Sequence, residues 1–201
     1  MLIPFLGQWL PFMLFAFACS ISPGPTNLLL FSHGARAGWW SAQPLVLGAC
    51  ISAAAVVWLV GLGFGELLAR APMLQLALQA FGVAWLSLLA WRIFRAPAAE
   101  LEADDGARLG LLGVIGLQWV NPKNWTMALA VIGVYAGHGA QREQRLAILA
   151  LLFCLVALPC LSAWAGLGSG SQRLLQPQQL RRLNQGLALL LLGSVWLGAL
   201  R

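Results

Sequence analysis

The chain has 201 residues, of which 60% are hydrophobic and only 9% are charged, and its mean hydropathy is +0.81. A soluble domain of this size carries many more charges, so the composition indicates a polytopic membrane protein with one membrane domain over residues 1–201. The net charge is +6, but the basic residues are dispersed over short loops. They therefore indicate topology rather than nucleic-acid binding.

Six apolar stretches are long enough to be membrane helices, which need about 20 residues each. They run about 5–31, 42–65, 72–94, 110–137, 146–168 and 183–200. The first and fourth are the longest, as expected if each contains a break. The sequence thus predicts an all-α protein with six transmembrane helices.

The first stretch is interrupted by Pro23-Gly24-Pro25-Thr26-Asn27. Proline lacks an amide donor and clashes with the preceding turn, so a helix must kink or break here. In hydrocarbon, a freed carbonyl costs several kcal/mol unless protein or internal water satisfies it. The cluster predicts a broken helix that faces the protein interior, and secondary transporters often bind cargo at such breaks.

The fourth stretch is interrupted by Asn121-Pro122-Lys123-Asn124. A lysine within a membrane segment costs roughly 3 kcal/mol on insertion scales, and so indicates a function or a specific structural pair. One interrupted segment in each half of the chain is typical of transporters built from inverted repeats. The alternative is structural, because Lys123 could cap or neutralise the break.

The connection 96–108 contains four of the six acidic residues and is predicted to be a solvated linker. It separates two three-helix halves, about 1–95 and 109–201. Because three is an odd number, the second half enters the membrane from the opposite side, which makes the halves inverted.

Orientation follows from the basic residues, which favour the cytoplasmic side. If both termini lie outside, seven arginines lie inside: Arg36, Arg92, Arg95, Arg108, Arg173, Arg181 and Arg182. Four then lie outside: Arg70, Arg142, Arg145 and Arg201. The sequence therefore predicts that both termini are outside.

Cysteine and glycine spacings give further expectations. Cys19, Cys50, Cys154 and Cys160 lie in apolar segments without metal-ligand spacing, so we expect structural thiols, no metal site and no cofactor. Glycine pairs such as Gly133-x-x-x-Gly137 predict close helix packing within the chain, and a homodimer face is the alternative.

The two proline motifs resemble those of the LysE/RhtB family of amino-acid exporters. That family carries Pro-Gly-Pro followed by Asn or Asp in its first segment, and Asn-Pro-Lys in its fourth. Here Asn27 stands one place later than the commonest position, while Asn121-Pro122-Lys123 matches outright. The stretch from Gly82 to Arg92 is also similar, with Trp85 in place of a tyrosine. The resemblance spans the chain and implies a transporter of the bacterial inner membrane, not an enzyme.

Many family members place Asp directly after Pro-Gly-Pro, whereas this chain has Thr26. That difference removes a carboxylate and argues against a dibasic cargo. If the breaks meet, helix N-termini and Lys123 would attract a carboxylate, and amides would take an ammonium group. The predicted substrate-binding residues are Pro23, Gly24, Pro25, Thr26, Asn27, Gln118, Asn121, Pro122, Lys123 and Asn124.

The predicted function is export of amino acids or similar small zwitterions, with the bilayer and the cargo as partners. Both proton coupling and uniport fit the sequence, since His33 is expected in the loop after the first segment. A membrane thiol–disulfide electron carrier is the alternative from another class, and would need a cysteine pair in symmetry-related segments. A metal-ion exporter is disfavoured because Lys123 would repel the cargo.

Overall fold

The computed structural model describes residues 2–64, 70–95, 110–137, 140–174 and 176–199. Every regular element among these residues is helical, which confirms the all-α prediction. The helices are α1 (Leu2–Ile21), α2 (Pro25–Ala37), α3 (Trp39–Leu59), α4 (Pro72–Arg95), α5 (Leu111–Val120), α6 (Pro122–Tyr135), α7 (Arg142–Leu174) and α8 (Pro177–Ala199). A π-helical turn, Val60–Phe64, extends α3. The predicted linker 96–108 lies outside the described residues.

Two helical stretches within the described residues are each long and apolar enough to cross a bilayer, Trp39–Gly63 and Arg142–Ser171. A third span results if Trp9–Ile21 and Pro25–Ala37, which bend by 56° at their break, cross as one. The other three predicted segments coincide with α4, with α5 and α6 together, and with α8. Their crossing of the membrane stays a prediction.

Both predicted breaks are present. Helix α1 ends at Ile21 and α2 begins at Pro25, while α5 ends at Val120 and α6 begins at Pro122. A proline suits the first position of a helix because the amide it lacks would have no partner there.

Other prolines do not end their helices. Pro11 lies inside α1, Pro44 inside α3 and Pro159 inside α7. One proline removes a single hydrogen bond and can be absorbed by a kink. At the first break, Gly24 between two prolines adopts an extended conformation, with φ −164° and ψ 176°, and the helix stops.

One sequence expectation about this region is wrong. His33 lies within α2, not in a loop after the first segment. Its Nε2 is 3.1 Å from Ser41 Oγ at the start of α3, within hydrogen-bonding distance. The helix continues past His33 because Gly38, with φ 85°, makes the turn into α3.

Helix α7 packs against α1, α2 and α3, and α4 packs against α8. The approach of α2 to α7 is very close, because glycines on each helix face the backbone of the other. A Cβ at Gly34 would overlap the carbonyl of Ala165, and a Cβ at Gly168 would overlap that of Phe31. The prediction of close helix packing at Gly133-x-x-x-Gly137 is wrong for Gly133, because no described atom lies within 4 Å of a Cβ there. Close packing occurs instead at Gly34 and Gly168, which the sequence did not single out.

The interior is built from apolar side chains, including the fully buried Phe12, Leu30, Leu117 and Leu146. Many large apolar side chains point outward instead, and Leu112 is 83% exposed. In water such a surface would be unfavourable, whereas hydrocarbon lipid solvates it. The distribution therefore fits a helix bundle embedded in a membrane.

Candidate functional site

The carbonyls that the first break frees are satisfied by side chains. The Nδ2 of Asn27 donates to the carbonyl oxygens of Ser20 at 2.8 Å and Ser22 at 3.2 Å. The indole Nε1 of Trp164, on α7, donates to the carbonyl oxygen of Ile21 at 3.0 Å. These bonds replace the helical ones that Pro23-Gly24-Pro25 prevents, so the break is compatible with an apolar surrounding.

The second break uses the same kinds of partner. The Nδ2 of Asn124 donates to the carbonyl oxygen of Gln118 at 3.2 Å. The Nε1 of Trp125 donates to the carbonyl oxygen of Trp119 at 2.6 Å. An asparagine amide and a tryptophan indole thus serve the last carbonyls at each break.

A short internal repeat underlies this likeness. Helix α2 begins with Pro25-Thr26-Asn27, and helix α6 begins with Pro122-Lys123-Asn124. In both, the third residue is the asparagine that reaches back to the preceding half-helix. The repeat places Thr26 and Lys123 at equivalent positions.

Gln118 connects the two breaks. Its Nε2 donates to Thr26 Oγ1 at 3.1 Å, and its Oε1 accepts from Asn124 Nδ2 at 2.7 Å. All three side chains are buried. This network is internally satisfied, so it fixes the position of α2 relative to α5 and α6.

Lys123 reaches across to the first break. Its Nζ donates to Ser22 at the carbonyl oxygen (3.1 Å) and at Oγ (2.8 Å). These bonds are of the structural kind that the sequence analysis held as an alternative, because they cap the C-terminal end of α1. An ammonium group has three donors, so one remains for a further partner.

The ammonium of Lys123 also lies beside the start of α2. A Cβ built on Gly24, the N-cap residue, would be 3.3 Å from Nζ. Gly24 supplies no side-chain hydrogen bond to the first amides of α2. By contrast, Asn121 caps α6, since its Oδ1 accepts from the backbone nitrogen of Lys123 at 3.1 Å. Positive partial charge therefore remains at the N-terminus of α2.

These groups surround a cavity between the breaks. The space open to the centres of water molecules measures about 40 Å³, which is room for a few waters. Its polar wall is formed by Cys19, Ser20, Gly24, Pro25, Thr26, Asn27, Gln118, Asn121, Lys123 and Asn124. Its apolar wall is formed by Cys50, Ala53, Met127, Phe153, Ala157 and Leu161.

The structure brings eight of the ten predicted site residues to this cavity. The two that it does not bring there are Pro23 and Pro122, whose side chains are exposed. Each shapes the backbone instead, Pro23 inside the first break and Pro122 at the start of α6.

Sequence reasoning missed the apolar wall, Cys19 and Ser20. Met127 lies three residues after Asn124, so helical spacing could have identified it as a neighbour on the same helix face. Ser20 lies three residues before Pro23, in the last turn of α1. Ala53 on α3 and Phe153 and Ala157 on α7 carry no signal in the sequence, since only packing brings them to the site.

The whole-chain comparison agrees with the motifs. The profile of the LysE type translocator family matches residues 17–196, which includes both breaks. The chain belongs to this family. A LysE-type translocator is a membrane transporter, and its partners are therefore the bilayer and a small-molecule cargo.

Similar full-length proteins include a cysteine/O-acetylserine efflux protein of Salmonella typhimurium and one of Salmonella choleraesuis. Each is 27% identical over 184 residues, covering 90% of this chain and 91% of the relative. An uncharacterized membrane protein of Vibrio cholerae is 24% identical over 196 residues, covering 94% of this chain and 93% of the relative. No solved structure matches the chain.

Proposed function

We propose that this LysE-type translocator exports amino acids, or closely related small zwitterions, from the cytoplasm across the bacterial inner membrane. In this proposal the six segments cross the membrane as two inverted halves, with both termini outside. The cargo binds in the cavity between the two breaks.

The surroundings of Lys123 carry the proposal. Its ammonium lies beside the uncapped N-terminus of α2, so a full and a partial positive charge face one cavity. The described residues that line the cavity include no carboxylate to balance them. The carboxylate of an amino acid would supply that balance, by binding to free helix amides and to the remaining Lys123 donor.

The same cavity favours a cargo without a second positive charge. Lys123 would repel a cationic side chain, and no described cavity residue is an acid that could pair with one. The wall opposite the polar groups is apolar and includes the small side chains of Ala53 and Ala157. A short, uncharged side chain fits this wall best.

The packing of the helices supports the inverted-repeat arrangement. Helix α1 of the first half packs on α7 of the second, and α5 of the second half packs on α3 of the first. Exchange of the halves converts one contact into the other, and it leaves the pairs α3 with α7 and α4 with α8 unchanged. Such a pattern is expected of two halves related by a pseudo-two-fold axis.

Efflux from loaded proteoliposomes tests the proposal. Vesicles with purified protein would be loaded with radiolabelled cysteine, O-acetylserine, alanine, lysine or aspartate, with and without a pH gradient. We expect export of the small neutral amino acids above the rate of protein-free vesicles, and weak export of lysine. The pH gradient separates proton coupling from uniport. No export of any cargo in the panel would contradict the proposal.

A cysteine-free variant distinguishes an exporter from the alternative function, a thiol–disulfide electron carrier. Cys19, Cys50, Cys154 and Cys160 are free thiols, and the first two line the cavity. With all four replaced by alanine, an exporter should keep measurable transport, although its affinity could change. An electron carrier would lose all activity.

A further inference from the structure

Ser20 is a buried hydroxyl that faces the cavity. It lies in the last turn of α1 and is 7% exposed, and it forms part of the cavity wall. Its Oγ is inaccessible to bulk solvent and has no hydrogen-bond partner among the described residues. The backbone carbonyl of the same residue, by contrast, accepts from Asn27.

An unpaired buried hydroxyl is unfavourable. Its burial without a hydrogen bond costs about 1–3 kcal/mol by protein mutational data. By contrast, Thr26, Gln118 and Asn124 in the same cavity are hydrogen-bonded to one another. Ser20 therefore has hydrogen-bonding capacity that the fold does not use.

We propose that Ser20 Oγ accepts a hydrogen bond from the ammonium group of the cargo. This inference rests on the proposed function and adds a binding residue to it. A hydroxyl can donate or accept, but Ser20 lies at the C-terminal end of α1, where the helix dipole is negative and favours a cation.

The placement also gives the cargo one orientation. Lys123 is bonded to Ser22, two residues from Ser20, and lies beside the start of α2. An α-amino acid carries its carboxylate and ammonium on one carbon, so both groups can be held at neighbouring points. The carboxylate then lies between Lys123 and α2, the ammonium at Ser20, and the side chain against Phe153 and Ala157.

The test uses a cargo analogue that lacks the ammonium. Unlabelled L-cysteine and 3-mercaptopropionate would compete with export of radiolabelled L-cysteine by wild type and by Ser20→Ala in proteoliposomes. We expect the variant to bind L-cysteine about tenfold more weakly, because a hydrogen bond to a charged group is lost. Its affinity for 3-mercaptopropionate should not change, so the preference of wild type for L-cysteine should fall by the same factor.

Ser52→Ala is the matched control. Ser52 is 6% exposed, lies outside the cavity wall, and donates from Oγ to the carbonyl oxygen of Ile115 at 3.2 Å. Without cargo, this variant should lower the melting temperature, whereas Ser20→Ala should leave it unchanged or raise it, since no hydrogen bond is removed. Ser52→Ala should keep the preference for L-cysteine.

Two results would overturn the inference. One is a Ser20→Ala variant that keeps the wild-type affinity for L-cysteine. The other is an equal loss of affinity for both compounds together with a lowered melting temperature, which would make Ser20 structural. If wild type exports no cargo of the panel, the proposed function itself fails, and that result is visible before any variant is compared.

Discussion

Lys123 lies where the end of α1 and the start of α2 come together. Its ammonium bonds to Ser22 at the negative end of one half-helix and adjoins Gly24 at the positive end of the next. The first contact is favourable and the second is not, unless an anion is present between them. Lys123 can therefore stabilise the break when no cargo is bound, and it can bind the carboxylate of a cargo when one is present.

Charge and size at position 123 can be separated. Lys123→Met keeps most of the apolar stem and removes the ammonium, so we expect a loss of about 1.5–3 kcal/mol in cargo binding, or tenfold or more in apparent affinity. Lys123→Arg should keep only part of the wild-type cargo affinity, because the planar guanidinium of arginine differs in shape from a compact ammonium. The measurement is the concentration dependence of L-cysteine export and its competition by L-cysteinamide, which lacks the carboxylate.

Ser22→Ala is the control for the structural contribution. It removes one of the two bonds that Lys123 makes to Ser22, together with the bond from Ser22 Oγ to the carbonyl oxygen of Cys19, and it leaves the charge in place. We expect this variant to lower stability while it still discriminates L-cysteine from L-cysteinamide. Normal export by Lys123→Met at limiting L-cysteine would show that Lys123 only caps α1.

At the scale of helices, the approach of α2 to α7 sets the position of the first break. Trp164 on α7 satisfies the carbonyl of Ile21, and it can do so because glycines let the two backbones come together. Gly34 and Gly168 face the backbones of Ala165 and Phe31 respectively. Small residues at such crossings are a general means of helix association in membranes.

Gly34→Ala and Gly168→Ala should each destabilise the protein. The added methyl group would overlap a backbone carbonyl, which cannot move aside as a flexible side chain can, so we expect a cost of about 1–3 kcal/mol. Thermal unfolding in detergent measures this loss of stability.

Gly133→Ala is the matched control, because nothing lies within 4 Å of a Cβ there. That change should be neutral or stabilising by about 0.5–1 kcal/mol, since glycine weakens a helix interior. Equal melting temperatures for Gly34→Ala and Gly133→Ala would contradict the close approach.

For the whole molecule, the arginine distribution predicts orientation. The sequence predicts both termini outside, because that orientation puts seven arginines on the inner side and four on the outer side. A periplasm-active reporter fused after Arg201 should therefore be active, and a cytoplasm-active one silent. A reporter placed after Asp105, in the predicted linker, should give the opposite pattern. A cytoplasmic signal from the fusion after Arg201 would reverse the orientation and leave the fold unaffected.

Much of the fold could be predicted from the sequence because membrane helices follow local rules. A stretch of about 20 apolar residues forms a helix in lipid, and a Pro-Gly-Pro cluster must interrupt it. The positions of both breaks and the helical class are therefore consequences of composition and proline placement. The sequence also predicted eight of the residues that line the cavity, because they belong to the same two motifs.

The sequence by itself determined where the chain is helical, where the helices break and which polar groups the breaks carry. Only the tertiary structure decided what those groups contact. The bond from Lys123 to Ser22 joins residues 101 apart, and Trp164 reaches the first break from 143 residues away. The apolar wall from α3 and α7 and the unpaired hydroxyl of Ser20 likewise depend on packing. Local rules assign a residue to a helix, but contacts between helices follow from which surfaces pack together, and no single segment encodes that.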